Sequence, residues 1–309
     1  MITIQRQPTL VDPPTPFEPL FRPSLDSNTD VNALLSVIDR LTDRVAVLES
    51  ERRQLFDEFT HLDEQVRLAS QVQRDLLPGT TDFAGIEVIT LYRPADHVSG
   101  DIFDVSRLDE EHFAISLADA SGHGMPAALL SVMLKRSFRG KQIIRDSYRI
   151  LDPAEVLRRV NDDILETNFR QCQFVTGLHS VYHRPSRAMT FARGGLPYPI
   201  LLRHGCAPRQ LISEGPLIGA FAGARFETTT VELEPDDVLV FYTDGVEALL
   251  LDRCGDRPLD DITETAWYAE LPIRPIGESI EDIDRRLDSV DSTSWPVDDV
   301  SIVAARITQ

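Results

Sequence analysis

The sequence predicts an α+β fold, with antiparallel sheets, helices packed outside them, and a long N-terminal coiled-coil helix in front. Three observations carry this expectation. From Pro78-Gly79 onward, apolar residues come in strand-length runs that outnumber the helical stretches. Several of these runs are separated only by turn-length gaps such as Arg184-Pro-Ser-Arg187, and short gaps join strands antiparallel. Upstream, Val31 to Leu76 repeats apolar residues at 3-4 spacing with no Gly or Pro before Pro78.

Residues 1–29 carry Pro8, Pro13, Pro14, Pro16, Pro19 and Pro23 and few periodic apolar positions. The expectation is an extended or disordered tail, with a docking peptide as the alternative. Residues 30–77 form the expected coiled-coil, dimerisation and regulatory helix. With Val31 at position a, the a series is Val31, Ile38, Val45, Arg52, Phe59, Val66 and Gln73. The d series is Leu34, Leu41, Leu48, Leu55, Leu62, Ala69 and Leu76. β-Branched a residues with Leu at d favour a parallel pair, so a homodimer through residues 31–76 is expected. Arg44 and Glu49 suit pairing between chains, whereas Glu58 and Asp63 would repel. The alternative is one long helix packed on its own domain.

Residues 78–309 are the expected main domain. Strands are predicted at Ile86–Tyr92, His112–Ala118, Phe174–His183, Ala188–Ala192, Val238–Tyr242 and Val300–Ala305. Helices are predicted at Met125–Arg139, Pro153–Thr167 and Glu278–Leu287. Phe138–Arg149 reads as basic and not strand-like, and Asp252–Pro296 as polar and weakly patterned. Gly122-His-Gly-Met-Pro-Ala127 matches a dinucleotide-binding spacing. No second strand with a closing acidic residue follows, and Asp119 would sit badly beside a pyrophosphate.

The 309 residues are 42% hydrophobic, enough for a core, and 50 acidic against 31 basic residues give a net charge of −19. That balance excludes nucleic acid and anionic membrane as partners, since both attract a positive field. Cys172, Cys206 and Cys254 form no CxxC pair and no disulfide framework, and no apolar run is of membrane-spanning length. A cytoplasmic protein is expected.

The chemistry-bearing residues are aspartates that end or begin apolar runs: Asp101, Asp104, Asp119, Asp244 and the pair Asp298–Asp299. Any one alone reads as a turn former. Brought together, they would crowd negative charge that is tolerable only beside a cation, and an all-oxygen set selects Mg²⁺ or Mn²⁺. Such cations lower the pKa of water and clamp phosphoryl oxygens. The chain has neither a Cys-x5-Arg nucleophile motif nor a Walker loop, which leaves hydrolysis by metal-activated water.

Ser99-Gly-Asp-Ile-Phe-Asp104, Leu117-Ala-Asp-Ala-Ser-Gly-His-Gly-Met-Pro-Ala127, Phe241-Tyr-Thr-Asp-Gly245 and Asp298-Asp-Val-Ser-Ile-Val303 resemble, in order, the motifs of the metal-dependent protein phosphatases (PPM, type 2C). Within that family they are similar to the bacterial RsbU and stage II sporulation E branch, over roughly Leu68–Arg306. Leu68–Pro78 resembles that branch's lead-in helix. The resemblance implies a four-layer αββα sandwich with two metal ions, and room for a third, where the strand ends meet. It implies that Asp119 bridges both ions and positions the hydroxide, with the Ala120 carbonyl and Asp101 on one ion and Asp244 and Asp298 on the other. Asp104 and Asp299 would be accessory ligands or hydrogen-bonding groups, and His123 a turn residue. The chain departs from the family pattern at Gly195, where His is usual, and at Glu247, one residue early after Thr-Asp-Gly.

The implied activity is hydrolysis of a phosphoserine or phosphothreonine regulator, an anti-sigma-factor antagonist in partner-switching signalling, under control of an upstream activating protein. A non-catalytic coiled-coil scaffold with a phosphatase-fold docking module is the alternative of a different class. A small-molecule phosphoesterase is a third.

Overall fold

The computed structural model describes residues 29–79, 82–83, 85–167, 174–251, 259–289 and 298–308; the expected tail lies outside them, as do Cys172 and Cys254. Two compact units divide the chain, Met1–His61 and Leu62–Gln309. Helix α1 (Thr29–Asp75) leads. There follow β1 (Asp82–Phe83), β2 (Ile86–Arg93), β3 (Asp101–Arg107), β4 (His112–Ala120), α2 (Met125–Ser137), β5 (Lys141–Ile144), β6 (Ser147–Ile150) and α3 (Pro153–Thr167). Next come β7 (Val175–His183), β8 (Ala188–Gly194), β9 (Ile200–Leu202), β10 (Arg209–Gln210), β11 (Thr229–Glu232) and β12 (Val238–Tyr242). The chain ends with α4 (Asp244–Leu251), α5 (Ala266–Glu270), α6 (Ile276–Asp288) and β13 (Val300–Ile307).

Among the described residues two large antiparallel sheets form, ordered β1-β2-β13-β12-β9-β10 and β11-β8-β7-β4-β3, beside the two-stranded β5-β6. Alternation along the strands sorts the apolar residues into three layers. Phe103, Val105, Ile115 and Leu117 meet Leu239, Phe241, Val303 and Ala305 between the sheets. The opposite face of the first sheet, Val240, Tyr242 and Ile302, packs under α4, α5 and α6. The opposite face of the second, Ile102, Ala118 and Ala120, packs under α2 and α3. This is the expected αββα sandwich.

One expectation for the main domain fails. Within Phe138–Arg149, read as not strand-like, Lys141–Ile144 forms a hairpin with Ser147–Ile150. Its turn is held by Arg145 at φ 54°, without the glycine that would have signalled it. Within the weakly patterned Asp252–Pro296, α6 matches the expected helix Glu278–Leu287, whereas α5, with Trp267 buried, has no counterpart among the expected elements.

The heptad stripe of α1 differs in burial along its length. Val31, Leu34, Ile38, Leu41, Val45, Leu48, Leu55, Phe59 and Leu62 are all exposed. Within the second unit, Val66, Ala69 and Leu76 are half-buried and Gln73 is 3% exposed. A seam open to another helix as far as residue 76 is therefore corrected: from Val66 the stripe is covered by the chain's own domain.

Under α2, His179 is fully buried, its Nδ1 2.8 Å from Ser116 Oγ and its Nε2 without a hydrogen-bond partner. Burial pushes its pKa down from 6.5 to about 4. The unfolded chain thus takes up a proton near pH 6.5 that the folded chain refuses until about pH 4, so stability falls with pH across that window. The shift corresponds to roughly 3 kcal/mol. His179→Gln is expected to remove about one proton of linkage from unfolding between those limits, read from denaturant midpoints at several pH values. An unchanged slope would mean that His179 is not the acid-sensitive group.

Candidate functional site

Strand alternation brings the acidic residues to one corner. On β3, Asp101 shares the inner face with Phe103 and Val105; on β4, Asp119 shares it with Ile115 and Leu117. The register sets Asp101 directly opposite Asp119. From the facing sheet, Thr243 follows β12, and Asp298 and Asp299 precede β13. Asp244 opens α4.

Asp101 is 1% exposed. Its Oδ2 accepts from Thr243 Oγ1 at 2.8 Å, and Thr243 Oγ1 accepts in turn from Ser301 N at 3.0 Å. One hydroxyl therefore ties the two sheets together at this end. Asp299 is 9% exposed and accepts from Ala95 N and Gly100 N, both at 2.7 Å. Its two oxygens are committed to backbone, so it braces the Gly100 corner. Asp298, at the surface, accepts from Asp299 N at 2.9 Å.

The cluster is electrostatically strained. Burial, then the charges of Asp119 and Asp299, hold Asp101 well above the ordinary carboxylate range. Burial, then Asp244, Asp298 and Asp299, push Asp119 up to about 7. Asp244 is raised by burial and by Asp298, and Asp299 chiefly by burial. Several carboxylates close enough to resist one another's ionisation favour a counter-cation.

Three observations bear on whether a divalent cation fits. Asp101 Oδ1 is buried without a hydrogen-bond partner, a costly condition that a ligated cation relieves. The donors are all oxygen, as Mg²⁺ and Mn²⁺ require. Backbone also approaches closely here: a Cβ on Gly100 would lie 2.9 Å from the Ala120 carbonyl oxygen and 3.4 Å from Asp119 Oδ1. Among the described residues, no three His, Cys, Asp or Glu side chains already surround one point at ligand distances. The fit rests on donor chemistry and the orphaned oxygen.

Asp104 does not join this group. Three positions after Asp101, it lies on the opposite face of β3 and pairs with Lys135 of α2. His123 is exposed at the turn into α2. Gly195 has φ 76°, and a Cβ there would stand 2.4 Å from Leu217 Cδ2, so a histidine would be strained on this backbone and Leu217 would have to shift. Sequence reading missed Thr243 and Ser99. Parity along β12 could have placed Thr243 on the inner face; nothing local marks Ser99.

Comparison with known proteins gives a consistent result. The pattern of the family described as Stage II sporulation protein E (SpoIIE) matches residues 109–308. Phosphoserine phosphatase RsbU of Bacillus subtilis (strain 168) is 26% identical over 185 residues, 59% of this chain and 53% of that protein. Phosphoserine phosphatase RsbP of the same organism is 22% identical over 209 residues, 65% of this chain and 50% of that protein. The chain thus spans about half the length of these relatives. Among solved structures, the SiaA-PP2C domain of Pseudomonas aeruginosa superposes with a TM-score of 0.64 at 20% identity, covering 80% of this chain and 98% of that one. The layered sheets and flanking helices therefore form a PP2C-type fold.

Proposed function

This chain belongs to the stage II sporulation protein E family, and on that premise we propose that it is a metal-dependent phosphoserine/phosphothreonine protein phosphatase. The observation that carries the reading is the inner-face carboxylate corner with its orphaned Asp101 oxygen. Asp119, Asp101 and the Ala120 carbonyl would hold one Mn²⁺ or Mg²⁺, and Asp119, Asp244 and Asp298 a second. When bound, such cations supply Lewis acidity, neutralising phosphoryl charge and lowering the pKa of water. The chain's own residues prepare the place. Thr243 orients Asp101 through its 2.8 Å hydrogen bond, Asp299 holds the Gly100 corner, and Asp119, its pKa pushed up to about 7, would give up its proton to hold a cation. The substrate proposed is a phosphorylated anti-sigma-factor antagonist within partner-switching signalling, with an upstream protein as activator. The test is phosphate release from a phosphoserine protein, with Mn²⁺ and with chelator. Turnover that needs the cation supports the phosphatase. Folded protein that binds no Mn²⁺ points instead to a docking scaffold.

The proposed partner of α1 is a second copy of the chain, along residues 31–62. The support is the row of exposed a and d residues, whose large apolar side chains gain by leaving water. Leu48→Glu is expected to weaken self-association by about a hundredfold, since it places a charge in the seam. Light-scattering mass across a dilution series checks this, and a wild-type monomer at every concentration removes the dimer.

A further inference from the structure

We propose that Gln73, at the end of α1, is a positioning residue for the carboxylate corner and acts through Ser99. In the heptad it is a polar interruption at an a position. In the structure it is 3% exposed, and its carboxamide grips the Ser99 backbone from both sides. Oε1 accepts from Ser99 N at 3.0 Å, and Nε2 donates to Ser99 O at 2.7 Å. Nε2 also lies 2.9 Å from Ser131 Oγ of α2, which itself donates to Ser99 O at 3.2 Å. Ser99 is fully buried, so without Gln73 its N–H has no water to turn to.

What Ser99 holds gives the clasp its consequence. Ser99 Oγ accepts from Asp101 N at 3.0 Å, fixing the first residue of β3. The next amide, Gly100 N, donates to Asp299, and the Gly100 carbonyl accepts from Ala120 N at 3.2 Å. Three successive residues are thus tied to α1, β4 and the residue before β13. Of these ties, only Gln73 reaches the corner from outside the sandwich. An apolar side chain would fill the same space but leave the Ser99 N–H unpaired and its carbonyl with Ser131 Oγ alone, and a loosened Ser99 frees Asp101 and Gly100 together. The effect on turnover rests on the phosphatase reading; the effect on the corner does not.

The experiment is hydrogen exchange together with Mn²⁺ calorimetry on the full chain, for wild type, Gln73→Met and the exposed control Gln71→Met. In wild type, the Ser99, Gly100 and Asp101 amides are expected to exchange as slowly as the β12 core. In Gln73→Met they exchange at least about tenfold faster while β12 is unchanged, Mn²⁺ binds about tenfold more weakly, and kcat falls more than KM rises. Gln71→Met changes none of these. Unchanged exchange at 99–101 in folded Gln73→Met overturns the proposal, as does acceleration spread evenly over the domain, which marks a merely structural residue. Should Gln73→Met fail to fold, wild-type exchange decides, because loop-like rates at Ser99 are incompatible with the clasp. Wild type that binds no Mn²⁺ sinks the phosphatase reading, and exchange at the corner still tests Gln73.

Discussion

Asp119→Asn is expected to lower Mn²⁺-dependent phosphate release by on the order of a thousandfold or more, while making the chelated protein more stable at pH 8. Both effects follow from one position. Asp119 stands opposite Asp101 in the β3–β4 register, and its carboxyl pKa is pushed up to about 7 by burial and by Asp244, Asp298 and Asp299. A proposed bridging ligand that becomes a neutral amide loses charge toward both ions, so the catalytic loss is large. For stability the sign runs the other way. The folded pKa lies above the unfolded value of 3.8, so the folded chain holds a proton between those limits. That contribution is fully present below about pH 3.8 and is lost as pH rises through about 7, where the folded state must carry the charge. Asparagine never carries it. The variant should therefore melt on the order of 5 °C above wild type at pH 8 in chelator, with the gain shrinking toward pH 5.5. His179 titrates in both proteins alike and drops out of the difference. Adding Mn²⁺ should reverse the order, because ligand that binds only the folded wild type stabilises it. An Asp119→Asn protein no more stable than wild type at pH 8 in chelator would falsify the strained-cluster account.

Most of this corner was legible from residues in the sequence. Strand alternation places Asp101 and Asp119 on inner faces once Phe103 and Leu117 are taken as core, and the same count removes Asp104, three positions on. The heptads located α1, and the apolar runs located β2, β4, β7, β8, β12 and β13 to within a few residues, but not β3, which carries Asp101, nor the short β1, β9, β10 and β11. What was not legible depends on distant partners. Gln73 and Ser99 are 26 positions apart, and nothing local says that a polar a residue meets backbone rather than a second helix. The β5–β6 hairpin escaped because its strands lie at the surface, half-buried or exposed, and therefore show no alternation between core and solvent. Asp299 read as a possible ligand because carboxylates that bind cations and carboxylates that bind backbone N–H groups have the same sequence signature. Only the 2.7 Å contacts to Ala95 and Gly100 separate the two.

Gly245→Ala is expected to destabilise the domain by about 3 kcal/mol and to weaken Mn²⁺ binding at least about tenfold. The argument is one of space. A Cβ on Gly245 would stand 2.1 Å from the Asp299 carbonyl oxygen and 3.1 Å from Val300 Cγ2. The clashing atom is backbone at the mouth of β13, so no rotamer change relieves it; α4 or the Asp298–Val300 segment must move. Either movement disturbs proposed ligands on both sides, since Asp244 precedes Gly245 and Asp299 braces Gly100 beside Asp101. Gly205→Ala separates this from ordinary glycine strain. Gly205 has φ 72° and nothing within 4 Å of its would-be Cβ, so its cost is conformational, about 1 kcal/mol, and leaves Mn²⁺ affinity alone. Thermal melts and calorimetry on both variants make the comparison. If Gly245→Ala matches Gly205→Ala in both readouts, the close approach of α4 to β13 is not what holds the carboxylates in register, and the weight shifts to the Thr243 hydroxyl between Asp101 and Ser301.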